Sequence, residues 1–208
     1  MFHVECMSAQ ENDHDALLRR LLRERIHVER RALVESPPAV RQRFAHAWAP
    51  AERLLTLLGP WPSGLITHWL AAPAGHVVLA ADASAYQPDT YPWQGGELRG
   101  VARVALSDLL DDAAPALRVV AELVDHLLGS DAQGRRLSDG AGANPELEEV
   151  ADRLLALAFL GYGPAAPHAY FAWAFSLYWI DRRALNVADP NIERLLRTTV
   201  CDERFWAQ

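Results

Sequence analysis

Apolar positions recur at helical spacing along most of this chain, and only its middle breaks into short apolar runs. From Asp13 to about Val34, Leu17, Leu18, Leu21, Leu22, Ile26 and Leu33 share one side and Arg19, Arg20, Arg23, Arg30 and Arg31 lie elsewhere, which predicts a charged amphipathic helix. Ser36 and Pro37 read as the cap and first residue of another, with Val40, Phe44, Ala47 and Trp48 buried. Pro50 kinks or breaks that run before Leu54, Leu55 and Leu58, and Gly59-Pro60 stops it. Leu65 to Leu70 and His76 to Ala80, bounded by Gly64 and Ala72-Pro73-Ala74-Gly75, predict two strands. Tyr86 to Gly96, with Pro88, Pro92, Gly95 and Gly96, reads as a loop, and Leu98 to Leu106 as a third strand.

The second half is helical again. In Pro115 to Gly129, Leu117, Val120, Ala121, Val124, Leu127 and Leu128 make one apolar face, opposite Arg118, Glu122, Asp125 and His126. Glu122 and His126 are neighbours one turn apart. Ser130 to Ala143 is polar and rich in Gly and Asp, the composition of a mobile excursion. Asn144-Pro145-Glu146 starts a helix that runs through Leu160 to a stop at Gly161. His168 to Ile180 is apolar nearly all round, which predicts a helix buried on every side. Asp189-Pro190 opens the last one, through about Thr199, and Phe205-Trp206 packs back onto the body.

The wording of two of these helices carries a resemblance. VVAELVDHLLG, Val119 to Gly129, resembles the VVHELGHxLG helix of zinc peptidases, and YFAWAFSLY, Tyr170 to Tyr178, resembles the YFAEAFxxY helix that gives the third metal ligand in one zincin family, that of the anthrax lethal factor catalytic domain and the pro-pro endopeptidases. The resemblance implies an α+β, zincin-like fold: a small twisted sheet over a central helix of the metal-site type, with a mainly helical C-terminal lobe. Residues 1–35 then read as an N-terminal helical extension and 36–208 as a single domain, its upper lobe reaching about residue 129 and its lower lobe spanning 130–208.

The chemistry of such a site needs two His at i and i+4 to hold zinc, a Glu after the first as general base, and a distant Glu as third ligand. Matched to that pattern without a gap, His126 takes the second His position, Glu122 the first, and Leu123 the place of the base. With Ala121-Glu122 matched to His-Glu instead, the base survives as Glu122, the first ligand becomes Ala121, and one extra residue precedes His126. In both alignments Trp173 stands where the family has its ligand Glu, and indole offers only an N–H donor. Tyr162-Gly163 is similar to the segment that bears the family's oxyanion-stabilising Tyr.

The resemblance thus implies a degenerate zincin, catalytically inactive, with no metal or other cofactor and with Glu122, Leu123, His126, Tyr162 and Trp173 as remnant positions. Its implied role is binding or regulation, with a peptide or protein partner along Leu98 to Leu106, where active relatives pair substrate with an exposed strand edge. A rival reading is a zinc-dependent hydrolase with a rearranged site at Glu122 and His126, completed by His168, Glu148 or Glu149. Another is a scaffold subunit that oligomerises through the N-terminal helix. His3, His14, His27, His46, His68 and His76 show no ligand spacing.

Composition bounds the partners. The net charge of −7 disfavours nucleic acid. No apolar run nears the length of a membrane span, and the N-terminal residues lack the pattern of a signal peptide, so a cytoplasmic protein with no membrane partner is expected. Cys6 and Cys201 form no metal-spaced pair, and no disulfide is expected.

Overall fold

The computed structural model describes residues 2–130 and 134–207, with side chains from Asp13 onward. It is a mixed α+β fold. In chain order come α1 (Phe2–Arg25), β1 (Ile26–Val28), the short α2 (Ala32–Glu35) and α3 (Pro38–Arg41), α4 (Ala49–Leu58), α5 (Ser63–Ala71), β2 (His76–Ala80), β3 (Ala85–Trp93) and β4 (Gly96–Ala105). The second half holds α6 (Ala114–Leu128), α7 (Pro145–Ala158), α8 (Pro167–Ile180), α9 (Arg182–Ala188), α10 (Pro190–Arg197) and α11 (Glu203–Trp206).

The strands form one sheet in the order β1-β2-β4-β3, with β1, β2 and β4 parallel and β3 antiparallel on the edge. Because side chains alternate across a strand, each strand feeds both faces. Ile26, Val77, Leu79, Ala102 and Val104 enter the core, while His27, His76 and Arg103 point to the outer face. Helix α6 packs against β3 and β4, and α8 packs against α6. The burial that sustains this stack is aromatic at its centre. Trp61 and Trp69 are fully buried with Phe171 and Phe175, and Trp61 meets Phe175 edge-on at 5.1 Å. Truncating a side chain of that size in a packed core costs about 3–5 kcal/mol.

Several sequence expectations are corrected. Helix α1 stops at Arg25, and Ile26–Val28 leave it to pair with Val77–Leu79 as a strand. The physical reason is a distant contact: Arg25 turns aside to donate from its guanidinium to the carbonyls of Leu70 (3.0 Å) and Ala72 (2.6 Å), capping the C-terminal end of α5. The Leu65 to Leu70 run is not a strand but part of α5. Its buried positions Leu65, Ile66, Trp69 and Leu70 fall at i, i+1, i+4 and i+5, a helical spacing hidden by the shortness of the run.

Tyr86 to Gly96, read as a loop, is mostly strand β3. Pro88 lies at the irregularity between Gln87 and Thr90, and Pro92 pairs opposite Glu97, both on an edge strand where a missing N–H costs no ladder bond. The turn back into β4 runs through Gln94 and Gly95 with φ of 46° and 84°, the two-residue geometry that suits a hairpin's twist. Lastly, the Ser130 to Ala143 stretch is not a free excursion where it is described. Leu137 and Ser138 are fully buried, and the chain passes so close to α6 that a Cβ on Gly129 would fall 2.1 Å from the Arg135 carbonyl oxygen.

The run after Ser36 is also corrected: its helix is only α3, and Ala47 and Trp48, read as buried, lie exposed in the segment beyond it, Trp48 at 57%. Several local signals of the second half do hold. Asn144 caps α7 by accepting from the Leu147 N–H at 2.8 Å, and Asp189 caps α10. Nearly every side of α8 is covered. Trp206 packs back over Gly64 of α5 and donates to the Val200 carbonyl. The N-terminal helix lies on the body, with Leu21 fully buried and His14 bonded to both Ser63 and the Gly59 carbonyl at 2.8 Å. Cys201 is a free thiol; the side chains of His3 and Cys6 lie outside the described residues. Among the described residues no helix is long and apolar enough to cross a membrane.

Candidate functional site

The two helices singled out by wording do meet, but they do not build the expected constellation. His126 sits on the sheet-facing side of α6, half-buried, where its Nδ1 and the Tyr86 hydroxyl of β3 are 2.9 Å apart and the two rings stand edge to face. Burial, and after it the nearby Arg136 guanidinium, hold the imidazole below its ordinary pKa. It is therefore neutral at pH 7, with the Tyr86 contact selecting its tautomer.

Around His126 opens a cleft of ≈ 140 Å³ between β3, β4 and α6. Its apolar walls include Pro88, Leu123 and Leu127, and Arg99 and Arg135 flank it. Leu123, at the position of a general base, is buried and offers no proton acceptor. Glu122 is half-buried on α6 and does not line the cleft. Trp173 is half-buried too, but it closes over Gly163 beside Tyr170, ring centroids 5.9 Å apart, and it also stays out of the cleft. Helix α8 turns Tyr170, Phe171 and Phe175 inward instead, each with no exposure.

The remaining candidates are dispersed. Tyr162 is 59% exposed in the turn after α7, and His168 is exposed at the start of α8. Glu148 and Glu149 are exposed on α7. Among the described residues no group of three or more His, Cys, Asp or Glu side chains comes together in a way that could hold a metal ion. The donor set around His126 does not fit zinc: two arginines, the Tyr86 phenol and apolar walls supply no further carboxylate, imidazole or thiolate ligand.

The strand expected to carry a partner also needs correction. Residues 101–105 of β4 pair with β2 on one side while the strand pairs with β3 on the other, so that part of Leu98 to Leu106 presents no open edge. The edge beside the cleft belongs to β3, which carries Tyr86.

Sequence reasoning missed one residue of this region altogether. Asp125, assigned to the polar side of its helix, has no solvent exposure and accepts from the Ser138 N–H at 2.8 Å and its hydroxyl at 2.6 Å. Burial pushes its carboxyl up to about 7, only partly opposed by those two bonds. It fastens the segment after residue 134 over α6, next to His126. The signal was present in the Ser138-Asp139-Gly140 turn, where Gly140 adopts a left-handed φ of 77°, but nothing local says which helix that turn would meet.

A second histidine cluster was missed because it joins separate strands. On the outer face His27 Nε2 and His76 Nδ1 are 3.1 Å apart, Trp93 lies 5.4 Å from His27, and Arg25 reaches His76 Nε2 at 3.5 Å. Burial and Arg25 together lower His76 to about 4.

Comparison with protein-family models, with curated proteins and with solved structures finds no match to this chain.

Proposed function

We propose that the protein is a non-catalytic, peptide-binding or regulatory protein on a zincin-like frame, with α6 in the place of the metal-bearing helix and α8 in that of the third-ligand helix. Support for the frame is the layering: a sheet with an antiparallel edge strand, α6 beneath it, and α8 against α6 from a helical lower lobe. One observation carries the loss of chemistry. The side chains that share the cleft with His126 are Leu123, Leu127, Pro88, Tyr86 and two arginines, none of which completes a zinc ligand set or serves as a general base at neutral pH. The rearranged-site alternative draws no support from His168, Glu148 and Glu149, which lie exposed on other helices.

What remains is a concave, partly apolar cleft beside a strand edge, the setting in which extended peptides add to a sheet. The test is direct. Protein purified without chelator is assayed for zinc by elemental analysis, scanned thermally with added zinc, and incubated with mixed peptides including Pro-Pro sequences. The expected result is no stoichiometric zinc, no cleavage, and peptide-induced NMR shifts at Tyr86, Leu123 and His126. A real site at a hundred times its dissociation constant would stabilise by about 2.7 kcal/mol. Near one zinc per chain, or turnover lost in Glu122→Ala, would sink the reading.

A further inference from the structure

The chain is acidic, with a net charge of −7, yet the charged side chains that line the His126 cleft are Arg99 and Arg135, and no carboxylate lines it among the described residues. Both guanidiniums are exposed, and neither has an acidic partner among the described residues. Elsewhere arginines close to acids are paired: Arg103 with Asp82 and Glu29, Arg43 with Asp111, and Arg182 and Arg197 with Glu193. Two cations at the mouth of one concavity, unpaired among the described residues, mark the place where an anion from outside is best received.

The size of the cleft narrows the class. At ≈ 140 Å³ it has room for a carboxylate with a short stem, on the scale of about five water molecules. Its remaining walls, Pro88, Leu123 and Leu127, are apolar and suit an aliphatic stem, and the edge strand β3 runs alongside.

We propose that the cleft receives a carboxylate of an acidic peptide between Arg99 and Arg135, its aliphatic portion lying against Pro88 and Leu127. This rests on the peptide-binding reading above and specifies the ligand of that same site. The carboxylate comes from a chain terminus or from a Glu side chain.

The experiment uses the full chain and N-terminally fluorescein-labelled hexa-alanine peptides whose last residue is Glu or Gln, each with a free or an amidated C-terminus, read by fluorescence anisotropy. The peptide with both carboxylates should bind best. Amidation should weaken it by about tenfold if the terminus is the ligand, and Gln in place of Glu by about tenfold if the side chain is. Arg99→Gln and Arg135→Gln, on exposed side chains, should each weaken the acidic peptide by about tenfold and leave the neutral one unchanged. Affinity should also fall with added salt.

Equal binding of all the peptides, abolished by Pro88→Trp at the cleft wall, would overturn the acidic preference and leave the peptide-binding reading intact. Acidic binding indifferent to both arginine substitutions would overturn the site. Displacement of the peptide by inorganic phosphate at the peptide's own concentration would show a general anion site and also overturn the proposal. Binding of no peptide would overturn this inference and the proposed function together.

Discussion

On the helix-backed face of the sheet, His126 touches the Tyr86 hydroxyl and borders an open cleft whose arginines have no acidic partner among the described residues; on the outer face, His27 and His76 face each other under Trp93, with Arg25 behind them. Both imidazole sites are half-buried and both are held below the ordinary histidine range by burial and a nearby arginine. The difference lies in where the arginines that border each site direct their guanidiniums. Arg25 spends its guanidinium on backbone carbonyls at the end of α5, so the outer cluster is part of the scaffold. Arg99 and Arg135, at the cleft, have no such bonds among the described residues. A lowered imidazole pKa is thus shared by a cluster built into the scaffold and by a histidine beside an open cleft, and does not by itself tell the two apart.

The comparison can be broken most severely at Asp125, the anchor of the cleft side. Asp125→Ala strands the Ser138 N–H and hydroxyl inside the protein, and a loss of roughly 2–4 kcal/mol in urea unfolding is expected. Asp125→Asn keeps one acceptor and gains a donor of the same shape, so it should remain folded and spare most of that loss. An Ala variant as stable as the parent would mean that the 136–140 segment is not held by this carboxylate.

On the outer side, Arg25→Met should cost about 2 kcal/mol, because the last carbonyls of α5 lose a charged donor. Hydrogen exchange should quicken at the end of α5 and along Ile26–Val28, while the amides around Leu123 and His126 keep their protection. Uniform loss of protection would dissolve the distinction between the two sides.

Their pH dependences run in opposite directions. His76 is lowered from 6.5 to about 4, so its contribution is present above pH 6.5 and is lost as pH falls towards 4. Asp125 is raised from 3.8 to about 7, so its contribution is present below pH 3.8 and is lost as pH rises through 7. Between these limits the two slopes oppose each other. Asp125→Asn should therefore steepen the loss of melting temperature on acidification from pH 6.5 to 4, and His76→Gln should flatten or reverse it. Identical profiles in parent and both variants would remove these groups from the account.

The smallest effect is expected from Tyr86→Phe: about 1 kcal/mol of stability, with a changed His126 tautomer balance readable in the ring nitrogen shifts and no change at His27.

Much of the helical half was legible because its signals are local: Asn144-Pro145 and Asp189-Pro190 as starts, the all-round apolarity of His168 to Ile180, and the stripe from Leu117 to Leu128. The errors cluster where a distant group decides. Arg25 ends α1 by binding the end of α5, Pro88 and Pro92 are tolerated because β3 is an edge, and Asp125 leaves the solvent because a segment beyond residue 134 folds over it. The His126 position was readable from its helix, but its Tyr86 partner lies on a stretch taken for a loop, and the arginines around it carry no local signature at all. Trp173 was placed by wording alone, and wording does not report the rotation of α8 about its axis.

The parallel pairing of β1 with β2 has a consequence for how the chain is made. Ile26 pairs with Val77, so on the ribosome the first strand emerges roughly fifty positions before its sheet partner β2. At about 5–20 residues per second it waits roughly 3 to 10 s, and its partner β2 then waits again for β4. The nascent protein must hold Ile26–Val28 unpaired through that interval. Their brevity, with a polar histidine at the centre, gives a neighbouring chain on the same message little to grip.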